Sequence, residues 1–129
     1  MELKLEALLG AEQALSVLNV TRGLPAVVAY RITKTVKAVS KELTEYEENR
    51  KKLCEEYAKK DEDGKPVIKD NVYDIAEEDL KKINEELKKL REETVEIPVK
   101  KISLDDINRA ELAPVQLESI EFMLDLEED

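Results

Sequence analysis

The sequence contains no histidine, no tryptophan and a single cysteine, Cys54, among its 129 residues. Histidine is the usual general base near neutral pH and a frequent metal ligand, so its absence removes serine–histidine and cysteine–histidine catalysis and most zinc sites. One cysteine excludes an intrachain disulfide and fits a reducing compartment. We therefore expect a protein that is not an enzyme and needs no cofactor or metal. Carboxylate chemistry and an oxygen-ligand magnesium or calcium site stay open.

Long apolar runs are also absent, and none reaches the roughly 18 residues that a transmembrane helix needs. The first ten residues carry acidic side chains within their apolar run and no small-residue cleavage site, so we do not expect a signal peptide. Aromatic residues make up only 4% of the chain, which predicts an aliphatic core. These features predict a cytoplasmic protein without membrane contact.

The strongest pattern that is present lies in residues 24–60, where apolar and aromatic residues recur at alternating steps of three and four. This heptad spacing predicts one long helix of about 50 Å. Such a helix is longer than a domain of this size is wide, so other segments or a second copy must cover its seam, and we expect a homo-oligomer. The seam residues are Ile32, Val36, Val39, Leu43, Tyr46, Arg50, Leu53 and Tyr57.

Two residues of this seam region need an interpretation of their own. Arg50 stands where the pattern calls for an apolar residue. Either its stem packs while its charged end reaches solvent, or it is a polar residue that fixes the register of a helix or subunit interface. Cys54 lies beside Leu53 and is interpreted as a small buried apolar residue rather than a reactive thiol.

A second amphipathic helix is predicted over residues 2–20, with apolar residues again at steps of three and four. The break before the long helix is short, so the two helices are expected to be antiparallel neighbours. Gly10 interrupts the interior of the first helix and is interpreted as marking a close approach of another helix. Gly23 offers a C-cap in the break.

The second half of the chain combines strand and helix patterns. Residues 66–68 and 72–75 predict a hairpin. Residues 94–99 alternate and are expected to add a third strand at its edge. Further helices are predicted over residues 76–93 and 114–124. The residues of the last helix that should face inward are Val115, Leu117, Ile120, Met123 and Leu124.

The predicted fold class is therefore α+β and mainly α, with a long central helix, antiparallel packed helices and a small β-hairpin or three-stranded sheet. We expect a single domain over residues 1–129. Its three segments are a helical hairpin (1–60), a β-hairpin with a helix and a strand (61–102), and an acidic C-terminal helix and tail (103–129).

The net charge of −10 is unevenly distributed along the chain. Residues 21–60 carry ten basic and six acidic side chains, whereas residues 102–129 carry one basic and nine acidic side chains. We interpret the acidic C-terminal quarter as a solvated face, with imitation of a nucleic-acid backbone as the functional alternative. The last residues, 127–129, are expected to be frayed.

The candidate ligand- or anion-binding site is the basic start of the long helix. No acidic residue occurs between Asn19 and Glu42, and positive side chains near a helix N-terminus oppose the helix dipole. An anion would offset this cost. It could be the acidic C-terminus of the same chain, a phosphate-bearing ligand or nucleic acid, or an acidic partner protein; a site without any partner also stays open. The site residues are Arg22, Arg31, Lys34, Lys37 and Lys41.

The acidic run at residues 61–64 is a candidate for calcium. A calcium loop needs a ligand at its fifth position and a glycine at its sixth. Lys65 and Pro66 stand at these two positions. The sequence therefore predicts a plain turn.

The run LPAVVAYRITKTVKAVSKELTEYEENRKKLCEEYAKKDEDGKPV, followed later by ISLDDI and ELAPVQLE, resembles a family of short uncharacterised phage and prophage proteins. The resemblance covers most of residues 15–125 and rests on structural rather than catalytic motifs. It implies a phage origin, a location in the host-cell cytoplasm and a non-enzymatic role. It assigns no activity to individual residues.

Two classes of function follow. In the first, a non-enzymatic phage-type protein contacts a host or phage protein, either as an inhibitor of a host defence complex or as a virion assembly or adaptor protein. In the second, the chain is a sponge-like binder of a phosphorylated nucleotide, held by Arg22, Arg31 and Lys34. Direct sequence-specific DNA binding is not expected.

Overall fold

The computed structural model describes residues 1–126, so the predicted fraying of residues 127–129 lies outside the described part of the chain. The fold is α+β and mainly α, as predicted. In chain order its elements are β1 (Glu2–Lys4), α1 (Leu5–Val20), α2 (Ala26–Tyr57), β2 (Ile68–Lys69), β3 (Val72–Tyr73), α3 (Glu77–Arg91), β4 (Thr94–Glu96), β5 (Ile102–Ser103), α4 (Pro114–Ser119) and β6 (Leu124–Asp125). Two 3-10 helices, Leu104–Ala110 and Glu121–Met123, lie before and after α4. None of the described helices combines the length and the apolar character needed to traverse a lipid bilayer.

The chain forms two compact units. Unit 1 comprises Met1–Leu43 and the chain from Thr94 onward, and unit 2 comprises Thr44–Glu93. These boundaries differ from the three segments predicted from the sequence, because the chain returns to the first unit after α3. The expectation of a single domain stays a prediction.

The long helix is confirmed, since α2 runs unbroken for 32 residues. Pro25 stands just before it, with a fixed φ that suits a helix start, and the Pro25 carbonyl accepts the N–H of Ala29 at 2.9 Å. The helix ends at Tyr57, where the next residue, Ala58, forms an antiparallel bridge with Ile75. The predicted limits were therefore correct to within about three residues.

The chain itself buries three of the eight seam residues of α2. Ile32 and Val39 are each 2% exposed, and Tyr46 is 7% exposed. Arg50 is exposed. The remaining seam residues are half-buried: Val36, Leu43, Leu53 and Tyr57. The chain therefore covers this seam only in part, and the expected homo-oligomer stays a prediction.

Unit 1 packs around the apolar face of α1. Six residues at helical spacing form that face: Leu5, Leu8, Ala11, Ala14, Leu15 and Leu18. Helix α1 lies against α4 and the 3-10 helix Leu104–Ala110. The core of unit 1 thus includes the C-terminal segment, which the sequence predicts as separate from the helical hairpin. Gly10 does not mark a close approach, because no atom lies within 4 Å of the position that a Cβ would take there.

The strand prediction for residues 94–99 needs a correction. β4 pairs antiparallel with β1, which places Val95 opposite Leu3. Every described sheet has two strands, so the hairpin has no third strand. Residues 2–4 were predicted as the start of the first helix and are a strand instead. The N-terminal ammonium group lies beside this pair of strands, where it pairs with the Glu96 carboxylate and donates to the Ile97 carbonyl at 3.1 Å.

The C-terminal helix is shorter than predicted. α4 ends at Ser119 and is followed by a 3-10 turn and by β6, which pairs in parallel with β5. Ile120, Met123 and Leu124 are buried as predicted. Val115 is 71% exposed, contrary to the prediction. A six-residue helix makes fewer than two turns. The set of inward-facing residues predicted for a helix over residues 114–124 therefore does not hold for its first residues.

Unit 2 contains the predicted hairpin and the third helix. β2 pairs antiparallel with β3, with Ile68 opposite Tyr73. The two turn residues, Asp70 and Asn71, have positive φ values of 51° and 65°, which matches the twist of a two-residue hairpin turn. Helix α3 buries Ile83 and Leu87, one turn apart.

Candidate functional site

The first half of α2 turns one face to the core and the opposite face to solvent. The core face carries Val28, Ile32, Thr35 and Val39, all buried. The solvent face carries five residues at steps of three, four, three and four, which places them within an arc of about 80° at 100° per residue. We call these residues the basic row: Val27, Tyr30, Lys34, Lys37 and Lys41.

The basic row combines exposed apolar side chains with exposed ammonium groups. Val27 is 62% exposed and Tyr30 is 59% exposed, and the three lysines are exposed as well. The Lys34 Nζ atom lies 5.3 Å from the centroid of the Tyr30 ring, a cation–π distance that orients both side chains. The row therefore offers an aromatic contact at one end and positive charge along the rest.

Arg31 lies at the edge of this row and has a structural partner. It is half-buried, and its Nη1 atom donates a hydrogen bond to the Lys101 carbonyl at 2.7 Å. This bond ties the segment between β4 and β5 to α2. The exposed residues Lys100 and Lys101 thereby add positive charge to the same part of unit 1.

Arg22 lies in the turn between α1 and α2 rather than on the helix, and it is exposed. The next residue, Gly23, has a φ of 80°. The Arg109 guanidinium lies against Gly23, with Nη1 only 2.5 Å from the position that a Cβ would take. A second arginine, from the 3-10 helix Leu104–Ala110, therefore lies at this turn.

The acidic C-terminal segment does not neutralise these groups in the part of the chain that the structure describes. Among residues 1–126, no ion pair links Arg22, Arg31 or a lysine of the basic row to a carboxylate. The ion pair within unit 1 joins the N-terminal ammonium group to Glu96. The fold-back alternative therefore has no support from the described contacts.

Arg50, the polar residue of the seam, is paired on its own helix. Its Nε atom donates to the Glu47 Oε2 atom at 2.9 Å, and its Nη2 atom pairs with Oε1. This hydrogen bond lowers the pKa of Glu47 and raises that of Arg50. The charged end of Arg50 is thus exposed and held by a residue three positions earlier, and both interpretations of Arg50 stay predictions.

The hairpin of unit 2 is held to the end of α2 by polar contacts. The Tyr73 hydroxyl donates to the Glu55 carboxylate at 2.9 Å, and this bond raises the pKa of Tyr73. The Asp74 carboxylate lies 3.5 Å from the Lys69 ammonium and 3.9 Å from the Lys59 ammonium. These contacts hold short strands that would be marginal in water by themselves.

The other predicted sites behave as plain structure. The Asp61 carboxylate accepts the backbone N–H groups of Asp63 and Lys65, both at 2.9 Å, which confirms a turn. Cys54 is buried, as interpreted. Within residues 1–126, no three acidic or thiol side chains come together in a way that could hold a metal ion.

Two open hollows lie on unit 2, and neither has the features of a ligand site. One, of about 490 Å³, borders the end of α2 and Pro66; the other, of about 360 Å³, borders α2 and α3. Both mix acidic and basic side chains at their edges. Ligand sites instead enclose an apolar floor with a few converging polar groups.

Comparison of the chain with protein-family models gives no match, and comparisons with curated proteins and with solved structures give none either. The resemblance to phage proteins therefore stays a prediction, and the function has to be argued from the site.

Sequence reasoning found three of the five members of the basic row and missed Val27 and Tyr30. Their spacing from Lys34, seven and four residues, is the signal that identifies them. The positions of Lys101 and Arg109 near α2 and the turn before it could not be predicted from sequence spacing, because tertiary contacts bring them there.

Proposed function

We propose that the protein is a non-enzymatic binding protein that contacts an acidic surface of a partner protein through the basic row. The observation that carries the proposal is the exposure of Val27 and Tyr30, 62% and 59%, beside three lysines without an ion-pair partner among residues 1–126. Tyrosine is enriched among the residues that contribute most to protein–protein affinity, and charges around such an anchor select the partner.

The geometry supports this better than capture of a phosphorylated nucleotide. Small ligands bind in concave sites that bury most of their surface, whereas the row follows the convex face of a helix for about 21 Å. The residues of the nucleotide hypothesis also do not converge. Arg22 precedes the helix, Arg31 donates to a backbone carbonyl, and Lys34 lies near the Tyr30 ring.

Nucleic acid is the less favoured polyanion. The chain carries a net charge of −10, which repels a phosphate backbone beyond the immediate contact, whereas nucleic-acid-binding domains are typically basic. An acidic protein surface is a smaller and more local array of charge. It can contact the row without approaching the acidic remainder of the chain.

The biological setting follows from the resemblance to phage proteins. The partner is then a host or phage protein in the cytoplasm of the infected cell. Inhibition of a host defence complex is one version of this role, and a virion assembly or adaptor role is the other.

Two variants with the same change in charge test the proposal. The row variant carries Lys34→Glu, Lys37→Glu and Lys41→Glu. The control variant carries Lys51→Glu, Lys52→Glu and Lys81→Glu. The control lysines are exposed and lie in unit 2.

We expect affinity capture from a host-cell lysate to yield a protein that the original chain and the control variant retain and the row variant loses. With that protein purified, the row variant should bind at least about tenfold more weakly, a loss of about 1.4 kcal/mol. Equal binding of the two variants contradicts the proposal. Binding that disappears after nuclease treatment identifies a nucleic acid as the partner and also contradicts it.

A further inference from the structure

The spacing within the basic row restricts the shape of what can dock on it. We infer that the docking segment is an acidic α-helix that lies almost along the axis of α2, an inference that rests on the proposed function. Steps of three, four, three and four are the spacing along which two helices pack side by side, at a crossing angle of about 20°. The inner seam of α2 uses the same spacing for the core, and the basic row repeats it on the free face.

The distance between successive residues of the row shows whether a helix or an extended strand fits it better as a partner. From Val27 to Lys41 the row advances about 21 Å in four steps. A partner helix with the same spacing advances by the same amount, so its side chains stay opposite those of the row. Four same-face steps along a strand cover about 26 Å. The side chains of a strand would therefore fall out of register with those of the row by about one full step over its length.

The order of residues along the row predicts the pattern of the partner. Val27 and Tyr30 need apolar contacts, and the three lysines that follow need carboxylates. The matching helix therefore carries two apolar residues and three acidic residues on one face. Acidic residues are most favourable near a helix N-terminus, so the acidic part is expected to lead and the helix to lie antiparallel to α2.

A second copy of this chain does not meet these requirements. Two basic rows aligned antiparallel over their full length would place Lys34 opposite Lys34, and would place Lys37 and Lys41 opposite Tyr30 and Val27. No lysine would then meet a carboxylate, and the two Lys34 side chains would repel each other. Helix α4, in the acidic C-terminal region, has only six residues and cannot span the row. The partner is therefore a different protein.

Two synthetic peptides of equal composition test the inference. The matched peptide has three glutamates followed by two leucines at alternating steps of three and four, with alanine and glutamine elsewhere. The other peptide places the same five residues at steps of two, the spacing of one face of a strand. Titration calorimetry measures the affinities, and amide chemical shifts locate the binding site.

We expect the matched peptide to bind at least about tenfold more tightly than the other and to shift the amide resonances of residues 27–41. The row variant should abolish these shifts, and the control variant should bind within about twofold of the original chain. Equal affinities, or shifts confined to other residues, overturn the inference. That result leaves the proposed function standing if the captured partner still depends on the row, so the two failures are distinguishable.

Discussion

The Arg109 guanidinium occupies the space beside Gly23 that any other residue would fill with its Cβ, at 2.5 Å from Nη1. Gly23 also has a φ of 80°, a left-handed conformation that residues with a Cβ rarely adopt. The positive φ is therefore what requires glycine in the turn between α1 and α2, and the flexible end of the Arg109 side chain fills the space beside it. The sequence predicts Gly23 as the C-cap of α1, whereas Thr21 takes that position in the structure.

Replacing Gly23 by alanine is expected to destabilise the protein by about 1–2 kcal/mol, chiefly through backbone strain, with a smaller cost for moving the flexible end of Arg109 aside. Gly64→Ala is the control. Gly64 also has a positive φ, 76°, but no atom lies within 4 Å of its added Cβ, so only the strain applies there. Urea unfolding followed by circular dichroism measures both losses. Equal losses for the two variants would show that the Arg109 contact contributes nothing.

Replacing Gly10 by alanine is expected to stabilise the protein by about 0.5–1 kcal/mol, because alanine has the better helix propensity and the site is open. Gly10 lies in the interior of α1, and nothing approaches the position of its Cβ. Thermal unfolding should show a higher midpoint for Gly10→Ala. A lower midpoint would indicate that another helix does approach Gly10 closely, as the sequence predicts.

The hydrogen bond from Tyr73 to Glu55 should be visible in a titration of the tyrosines. The bond raises the pKa of Tyr73, so the folded state holds this proton more tightly than the unfolded state. Its contribution to stability is present below the ordinary tyrosine pKa, near 10, and is lost as the pH rises through the higher folded value.

Phenolate absorbance in the ultraviolet measures this effect. Tyr73→Phe should remove the tyrosine that ionises at the higher pH, and Glu55→Gln should lower the pKa of Tyr73 towards its ordinary value. Circular dichroism at each pH confirms that the chain remains folded. If Tyr73→Phe leaves the high-pH part of the curve unchanged, the bond does not form in solution.

The Glu47–Arg50 pair is expected to contribute less than about 1 kcal/mol, because both side chains are largely exposed. The pKa of Glu47 is lowered by the hydrogen bond from Arg50. The contribution is therefore present above the ordinary glutamate pKa and is lost as the pH falls through the lower folded value. Arg50→Gln should change neither the unfolding free energy by more than this amount nor the sedimentation coefficient. A change in oligomeric state would instead show that Arg50 fixes the register of a subunit interface.

Much of the fold was predictable where a pattern extends over several turns or where turn chemistry is local. Helix α2 shows its heptad from Ile32 to Tyr57, and the hairpin turn is marked by Asp70 and Asn71, which tolerate positive φ. A strand of two or three residues is too short to show a periodic pattern of apolar residues. The pairing of β1 with β4 and of β5 with β6 therefore depends on tertiary contacts that the sequence does not display.

The candidate site also has parts that could be predicted from the sequence and parts that could not. The lysines of the basic row were evident from their charge. Val27 and Tyr30 carry no charge and were missed, although their spacing from Lys34 places them on the same face of α2. Ile32 and Val39 on the inner face of α2 are buried in the core, and Tyr30 is exposed on the opposite face.

Photo-cross-linking from position 30 tests the central claim most directly. A photoreactive phenylalanine analogue replaces Tyr30, and a second variant carries it at Val115, which is equally accessible at 71% exposure. With the captured partner protein, we predict an adduct from position 30 that maps to an acidic segment and is lost in the row variant. No adduct from position 30, or the same adduct from both positions, would contradict the assignment of the basic row as the binding surface.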